Sequence, residues 1–429
     1  MQFITAALQT LQVSLQGVPD TPGLRVFDIS VPLKDDFDPL SWLSCQALYP
    51  HFYWLHRDEN EEAAALGAVC HFDSLPEARA FLQQQARQDL RLWGLNAFSP
   101  ERGQLFLPRL EWRREGAAVV LRLNLFSATS LHDDARLARA QLEALRPSAP
   151  LPALKLTLAH ERNLPEYEGW RSLIGQATQA IGRGELEKVV LARASDLQFN
   201  QPVNAAAVMA ASRRHNLNCY HFMMAFDVHR AFLGSTPERL WRRRGLELET
   251  EALAGTVANH QDSRQAARLA EWLMQDDKNQ RENLLVLEDI CQRLRNDVSA
   301  LEAAAPEIIR LRKVQHLRRA VRAVLNSPDD ARCLTQLQPT AAVAGLPREK
   351  ARRFIIDGEP FDREWYAGSA GYLSLARSEF CVALRSASVA DSTVRLYAGA
   401  GIVAGSDPQQ EWQEIEHKAA GLRSVLFGE

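Results

Sequence analysis

Glu411, Glu414 and Lys418 follow closely behind a pair of glycines, Gly399 and Gly401, and this grouping is where chemistry is most readily placed. Val394-Arg-Leu-Tyr-Ala-Gly-Ala-Gly-Ile-Val reads as a strand running into a glycine turn, Asp407 suits a helix cap, and Pro408 suits the first helical position. Trp412, Ile415, Ala419 and Leu422 recur at helical spacing as a buried face, which leaves the two carboxylates and the lysine on a neighbouring one. A glycine pair lets backbone N–H groups approach an anion, and carboxylates on the next helix can hold a hard cation. One small region thus has the means to bind an acidic ligand through amides, a lysine and a bridging metal. The same residues also fit a surface helix whose Glu414 and Lys418 merely form an i,i+4 ion pair, so the rest of the chain must decide.

Other motifs are tested by their context. Gly399-Ala-Gly-Ile-Val-Ala404 fits a loose dinucleotide-binding pattern, but that pattern needs a second parallel strand and a distant acidic residue, for which no room is left before Glu429. Ala367-Gly-Ser-Ala-Gly371 approaches the nucleophile elbow of hydrolases, yet Tyr372-Leu-Ser-Leu continues as strand where a helix is required, so Ser369 reads as a turn residue. The histidines are scattered without zinc-ligand spacing. What remains is carboxylates at strand ends and on helices, two glycine-rich turns, Lys188, Lys418 and Arg385, a set suited to an acidic substrate and an oxygen-ligated Mg²⁺.

The elements that must position these groups follow from periodicity. The first 150 residues carry neighbouring pairs of strand-like runs, with helical runs at Leu75 to Gln88 and Asp133 to Leu145, which favours antiparallel sheet over alternating β-α units. Arg146-Pro-Ser-Ala-Pro-Leu-Pro152 is the one obvious linker. Beyond it the spacing predicts a helix from Trp170 to Gly182, a strand entered through Lys188, and a hairpin-like unit with Glu238 after a Thr-Pro turn. It also predicts one long helix from Arg264 to Asp297 carrying Glu282 beside Leu284, Leu287, Cys291 and Leu294, and a strand through Arg385. The basic run Arg310 to Arg322 reads as the solvated face of an amphipathic helix rather than a nucleic-acid site. A net charge of -3 gives no reason to expect a polyanion partner, and the six separated cysteines read as reduced core residues. Without a signal-like start or a long apolar run, a cytoplasmic protein with no membrane partner is expected.

Six ordered motifs then carry a resemblance: Glu187-Lys-Val-Val-Leu-Ala-Arg, Gly234-Ser-Thr-Pro-Glu-Arg-Leu, Glu251-Ala-Leu-Ala-Gly-Thr256, Gln338-Pro-Thr-Ala-Ala-Val-Ala-Gly-Leu-Pro347, Gly368-Ser-Ala-Gly-Tyr372 and Tyr397-Ala-Gly-Ala-Gly-Ile-Val. Together they resemble the chorismate-utilising enzymes, a family that includes anthranilate, aminodeoxychorismate, salicylate and isochorismate synthases. The resemblance covers about residues 160 to 425, and among members it is greatest to the isochorismate synthases of menaquinone biosynthesis. It implies an α+β fold, two large antiparallel sheets packed as a sandwich with helices outside and the active site between them. A single domain over residues 1–429 is expected, with 1–155 its N-terminal part and 156–429 the catalytic region.

The resemblance also implies roles. Lys188 is the general base that activates water for C2 of chorismate, and Glu238 the general acid that protonates the departing C4 hydroxyl. Glu282 and Glu414 are the Mg²⁺ ligands, with Glu411 behind them as a water-mediated partner. The family usually shows a histidine where this chain has Asn283, which leaves the ligand carboxylate itself unchanged. Arg385 and Tyr366 match binders of the enolpyruvyl carboxylate. Gly255, Thr256, Gly399, Gly401 and Lys418 match groups around the ring carboxylate, and His316 matches a histidine near the substrate. A basic lysine must be neutral and an acidic glutamate protonated, so burial should act on both while a direct ion pair between them should be absent. The expected activity is Mg²⁺-dependent isochorismate synthesis. Salicylate synthase, a siderophore-pathway isochorismate synthase and a non-catalytic binding subunit are the alternatives. No glutaminase subunit and a monomer or weak dimer are expected.

Overall fold

The structure, a computed structural model, describes residues 2–33 and 37–428. The chain opens with α1 (Gln2–Ser14), β1 (Gly23–Val31), α2 (Pro39–Ser44), β2 (His51–Leu55), β3 (Glu61–Phe72), α3 (Leu75–Gln85), β4 (Leu92–Asn96), β5 (Gly103–Glu115), β6 (Ala118–Ser127) and α4 (Leu131–Glu143). After the proline-rich stretch come β7 (Leu158–Leu164), α5 (Tyr167–Gly182), β8 (Lys188–Phe199), α6 (Ala205–His215), β9 (Tyr220–Ala225), β10 (Arg230–Thr236), β11 (Arg239–Arg244) and β12 (Glu247–Ala258). They are followed by α7 (Ser263–Gln275), α8 (Asp277–Leu294), β13 (Val298–Ala303), β14 (Glu307–Arg310), β15 (Val314–Leu325), α9 (Asp330–Leu337), β16 (Gly345–Leu346) and α10 (Arg348–Gly358). The last elements are β17 (Ser369–Leu373), β18 (Arg377–Val382), β19 (Ser386–Ala390), β20 (Thr393–Ile402) and α11 (Pro408–Leu426).

The strand pairs are antiparallel, and they form two sheets that share β5. One runs β1-β6-β5-β3-β2-β9-β10-β19-β20-β8-β7. The other leaves the Gly103 end of β5 and runs β4-β17-β18-β11-β12-β15, with β13 and β14 on its outer edge. The fork arises because the two ends of β5 pair differently along one edge, with β4 at Gly103–Phe106 and with β6 at Leu110–Glu115. Period-two alternation fills the layers: in β2, Phe52 and Trp54 enter the core between the sheets, while Tyr53 and Leu55 enter a second core beneath α1, α2, α4, α6 and α11. Across the inter-sheet core, Trp54 faces Trp93 with ring centroids 6.4 Å apart. The expected α+β sandwich of two antiparallel sheets is therefore present. Among the described residues no helix is long and apolar enough to cross a membrane.

Several expected elements differ. The run Arg310–Arg322 contributes to β14 and β15, not to a helix. Leu311, Val314, Leu317 and Val321 mimic helical spacing, but Leu317, Val321, Ala323 and Leu325 are buried at period two with Arg322 and Val324 exposed, and pairing with β12 decides for strand. The long helix is two, broken at Asp276, which is non-helical (φ -74°, ψ 113°) and accepts from the N–H of Asn279. Its buried face is Asn283, Val286, Ile290 and Leu294, while Leu284 is exposed. The unit around Glu238 is not a hairpin, because β10 pairs with β9 and β19 whereas β11 pairs with β12 and β18. The chain changes sheets there. Ser369 begins β17 rather than a turn and accepts from the Asn96 amide at 3.0 Å. Arg385 lies between β18 and β19 in the left-handed region (φ 46°), not inside a strand.

Candidate active site

A cavity of about 870 Å³ opens where the chain changes sheets, lined among others by Glu238, Glu282, His316, Arg385, Glu414 and Lys418. Lys188 starts β8 behind its wall, 1% exposed, and its Nζ donates to Glu282 Oε1 at 2.8 Å. The lysine thus has a carboxylate partner, which is Glu282 and not Glu238. Among the described residues Lys188 and Glu238 form no ion pair with each other.

Glu238 occupies the bend between β10 and β11, held by its N–H to Thr236 Oγ1 at 3.3 Å and by its carbonyl accepting from the Val382 N–H at 3.0 Å. The side chain is buried, its carboxylate has no hydrogen-bond donor among the described residues, and that burial pushes its pKa up to about 8. The charge of Glu251 pushes the same way, against the weaker pull of Lys188, Arg385 and Lys418. A carboxyl of this kind is protonated at neutral pH and can give that proton away.

Across the cavity Arg385 Nη2 approaches His316 Nε2 at 2.6 Å, and His316 Nδ1 lies 3.0 Å from Thr256 Oγ1. A guanidinium only donates, so Nε2 accepts and the imidazole proton sits on Nδ1, directed at Thr256. Burial, reinforced by the charges of Arg385 and Lys418, holds the His316 pKa well below its ordinary value. Arg385 makes no ion pair with any carboxylate among the described residues, which leaves a guanidinium free to take an anionic ligand. Gly255 (φ 86°) lies at a break in the β12–β15 register between Leu253 and Thr256, and the Thr256 N–H turns to Asn279 Oδ1 at 3.1 Å. Tyr366 is buried, stacked on Tyr397 with centroids 5.1 Å apart.

Gly399 and Gly401 lie inside β20, not in a turn as the spacing suggests. Their partners across β8, Ala192 and Val190, give their N–H groups to Glu359 and to the Ala344 carbonyl. The glycine N–H groups therefore belong to non-bonded pairs with β8 and point to the other edge of β20, which β19 covers only as far as Leu396. Glycine is needed there for room. A Cβ at Gly399 would come 2.8 Å from Tyr366 Oη, and one at Gly401 would come 2.9 Å from Lys188 Cε. Lys418 Nζ meets the Gly399 carbonyl at 3.0 Å and Glu414 Oε1 at 2.7 Å, so the i,i+4 ion pair and a place in the cavity wall coexist.

Glu282 and Glu414 thus reach one cavity from α8 and α11, with Glu411 one turn before Glu414. Burial and the neighbouring Glu414 charge both raise the Glu411 pKa, the sign of carboxylates crowded into one wall. Among the described residues no three His, Cys, Asp or Glu gather into a metal-holding group, and Glu282 and Glu414 are hard oxygen donors of the kind of which Mg²⁺ takes one or two, completing its shell with water and ligand oxygens. Asn283 faces away from the cavity: its amide donates to the carbonyls of Ala252, Ala254 and Leu317 and its Oδ1 accepts from Arg319, tying α8 to β12 and β15.

Twelve of the thirteen expected residues line this cavity, and the thirteenth, Lys188, lies behind the wall and meets it through Glu282. The structure adds two that motif reading passed over. Glu251, in the quoted Glu-Ala-Leu-Ala-Gly-Thr motif, is a buried carboxylate near Glu238, and the sequence hides it because it continues the period-two series Glu247, Glu249, Glu251 of a charged strand face. Arg57, between β2 and β3, reaches Glu251 from the N-terminal part, and no local pattern marks it.

Comparison with known proteins bears on the whole chain. The family described as chorismate binding enzyme matches residues 20–427. The isochorismate synthase MenF of Escherichia coli (strain K12) is 62% identical over 428 residues, 99% of each chain. The solved structure of the menaquinone-specific isochorismate synthase MenF from Escherichia coli superposes with a TM-score of 0.97 at 62% identity, covering 99% of this chain and 100% of that one. Anthranilate synthase component I from Streptococcus pneumoniae, 19% identical with a TM-score of 0.66 over 88% of this chain and 91% of that one, shares the fold.

Proposed function

We propose, from the premise that the chain belongs to the chorismate binding enzyme family, that it is an isochorismate synthase serving menaquinone biosynthesis. In this reading water enters at C2 of chorismate, the ring double bonds shift, and the C4 hydroxyl departs as water. Lys188 takes the proton from the incoming water once its contact with Glu282 is released. Glu238 gives its proton to the leaving oxygen, so each group ends in the opposite protonation state and the reverse reaction uses them in exchanged roles.

Arg385 and Tyr366 suit the enolpyruvyl carboxylate, the first as a cavity guanidinium with no carboxylate partner among the described residues. The N–H groups of Gly399 and Gly401, with Lys418, Gly255 and Thr256, suit the ring carboxylate, and His316 keeps Arg385 in place as a neutral acceptor. Glu282 and Glu414 are the residues that would hold Mg²⁺, with Glu411 supporting Glu414. The ion supplies charge neutralisation for a ring carboxylate among glutamates.

The observation that carries the reading is Glu238, a buried carboxyl that remains protonated near neutrality on the wall of a cavity rich in anion-binding groups. The test is identification of the product from chorismate by mass and chirality, with Mg²⁺ and with chelator. Isochorismate formed only with the ion is expected. Abundant salicylate with pyruvate would make the protein a salicylate synthase, and binding without turnover would make it a non-catalytic subunit.

A further inference from the structure

We propose that Arg57 and Glu251 are positioning residues for Glu238, clamping the backbone on both sides of it and setting a second, ionised carboxylate beside it. This rests on the reading that Glu238 delivers the proton. Arg57 Nη1 donates to the Pro237 carbonyl at 2.8 Å, immediately before Glu238. The same guanidinium grips Glu251 with both nitrogens, at 2.7 and 2.9 Å. Glu251 Oε1 in turn accepts from the Arg239 N–H at 2.8 Å, immediately after Glu238. One planar ion pair therefore fixes the residues flanking the acid, at the point where the chain passes between sheets.

The clamp has an electrostatic side. Glu251 is 2% exposed yet ionised, because Arg57 and Arg239 outweigh its desolvation. Its charge and burial both favour the protonated form of Glu238, while Lys188 on β8, Arg385 between β18 and β19, and Lys418 on α11 favour the ionised form. The clamp also gives the N-terminal part a task beyond core, since Arg57 belongs to none of the six motifs.

The test is the pH profile of kcat/KM for chorismate. The wild-type profile is expected to fall as pH rises through about 8, where free Glu238 loses its proton. Glu251→Gln removes the charge, and the alkaline fall should move down by about one pH unit. Glu251→Asp keeps the charge and should restore most of the wild-type position. If Glu251→Gln does not fold with Arg57 left unpaired, the double variant Arg57→Gln/Glu251→Gln leaves no orphaned charge and should show a displacement in the same direction, smaller because the opposing field of Arg57 is lost with it. A folded Glu251→Gln or double variant with an unmoved alkaline fall overturns the proposal, and so does failure of both to fold, which would make the pair structural. Glu238→Gln separates the premise from the inference: it should abolish turnover, and a Glu238→Gln enzyme with wild-type activity and profile would overturn the acid role itself.

Discussion

A glutamic acid kept protonated in the folded state is a thermodynamic burden as well as a tool. The unfolded chain releases that proton near the ordinary value of 4.5, the folded chain only near 8, so between these values the folded state binds more protons and stability falls as pH rises. Each pH unit in this window costs about 1.4 kcal/mol, or on the order of 3 kcal/mol by pH 7. Replacing Glu238 by Gln removes the titration. Denaturant unfolding should show Glu238→Gln more stable than wild type by about 1–3 kcal/mol at pH 7.5, with the gap closing by pH 5; an equal gap at both values would mean that Glu238 is ionised in the folded protein. Activity moves oppositely, and Lys188→Ala and Glu238→Ala should each lose on the order of 100-fold or more in kcat, whereas near-normal turnover would remove both from the chemistry. Lys188 and Glu238 were legible because each sits inside a motif of ordered, unusual residues. Arg57 was not, since a lone arginine after a strand becomes informative only when folding brings it to residues nearly two hundred positions away.

At the scale of elements, the same limit explains which readings survived. Short apolar and aromatic strand runs, such as His51–Leu55, and the helix capped by Asp407 with Pro408 behind it were recoverable because local sequence specifies them. The β15 region was not, because Leu317 and Val321 fit both periods and only its place beside β12 selects strand. The break at Asp276 was hidden in the same way by apolar spacing that runs on through a capping aspartate. In β20 the glycines suggested a turn, yet their purpose is close approach, with Lys188, Glu282 and Tyr366 occupying the volume that side chains would need. Gly401→Ala tests this. Its Cβ would meet Lys188 Cε at 2.9 Å, Glu282 Oε1 at 3.3 Å and Lys188 Nζ at 3.4 Å, all of them side-chain atoms at the site. The displaced lysine should lower kcat by about 10-fold or more while thermal stability changes little. Unchanged kcat would mean that Lys188 has room to relocate without consequence.

At the scale of the molecule, the arrangement places one carboxylate of the proposed ion site on each half of the sandwich. Glu282 rides on α8, which packs on β12 and β15 of one sheet, and Glu414 on α11, which packs on β20 of the other along with α5 and α6. In the protein alone each carboxylate has a lysine partner, Lys188 for Glu282 and Lys418 for Glu414. An ion that recruits both carboxylates ties the sheets together across the cavity, and binding to the folded state alone adds to its stability by mass action, about 2.7 kcal/mol at a hundredfold excess over the dissociation constant. Mg²⁺ should therefore raise the unfolding temperature of the ligand-free enzyme, reversibly with chelator. Removing either carboxylate should remove the increment. Because Glu282→Gln also leaves Lys188 buried without its partner and lowers the baseline, the quantity to compare is the difference made by the ion, not the unfolding temperature itself. A Mg²⁺ increment that persists in both Glu282→Gln and Glu414→Gln would place the ion elsewhere and leave these glutamates as partners of the two lysines alone.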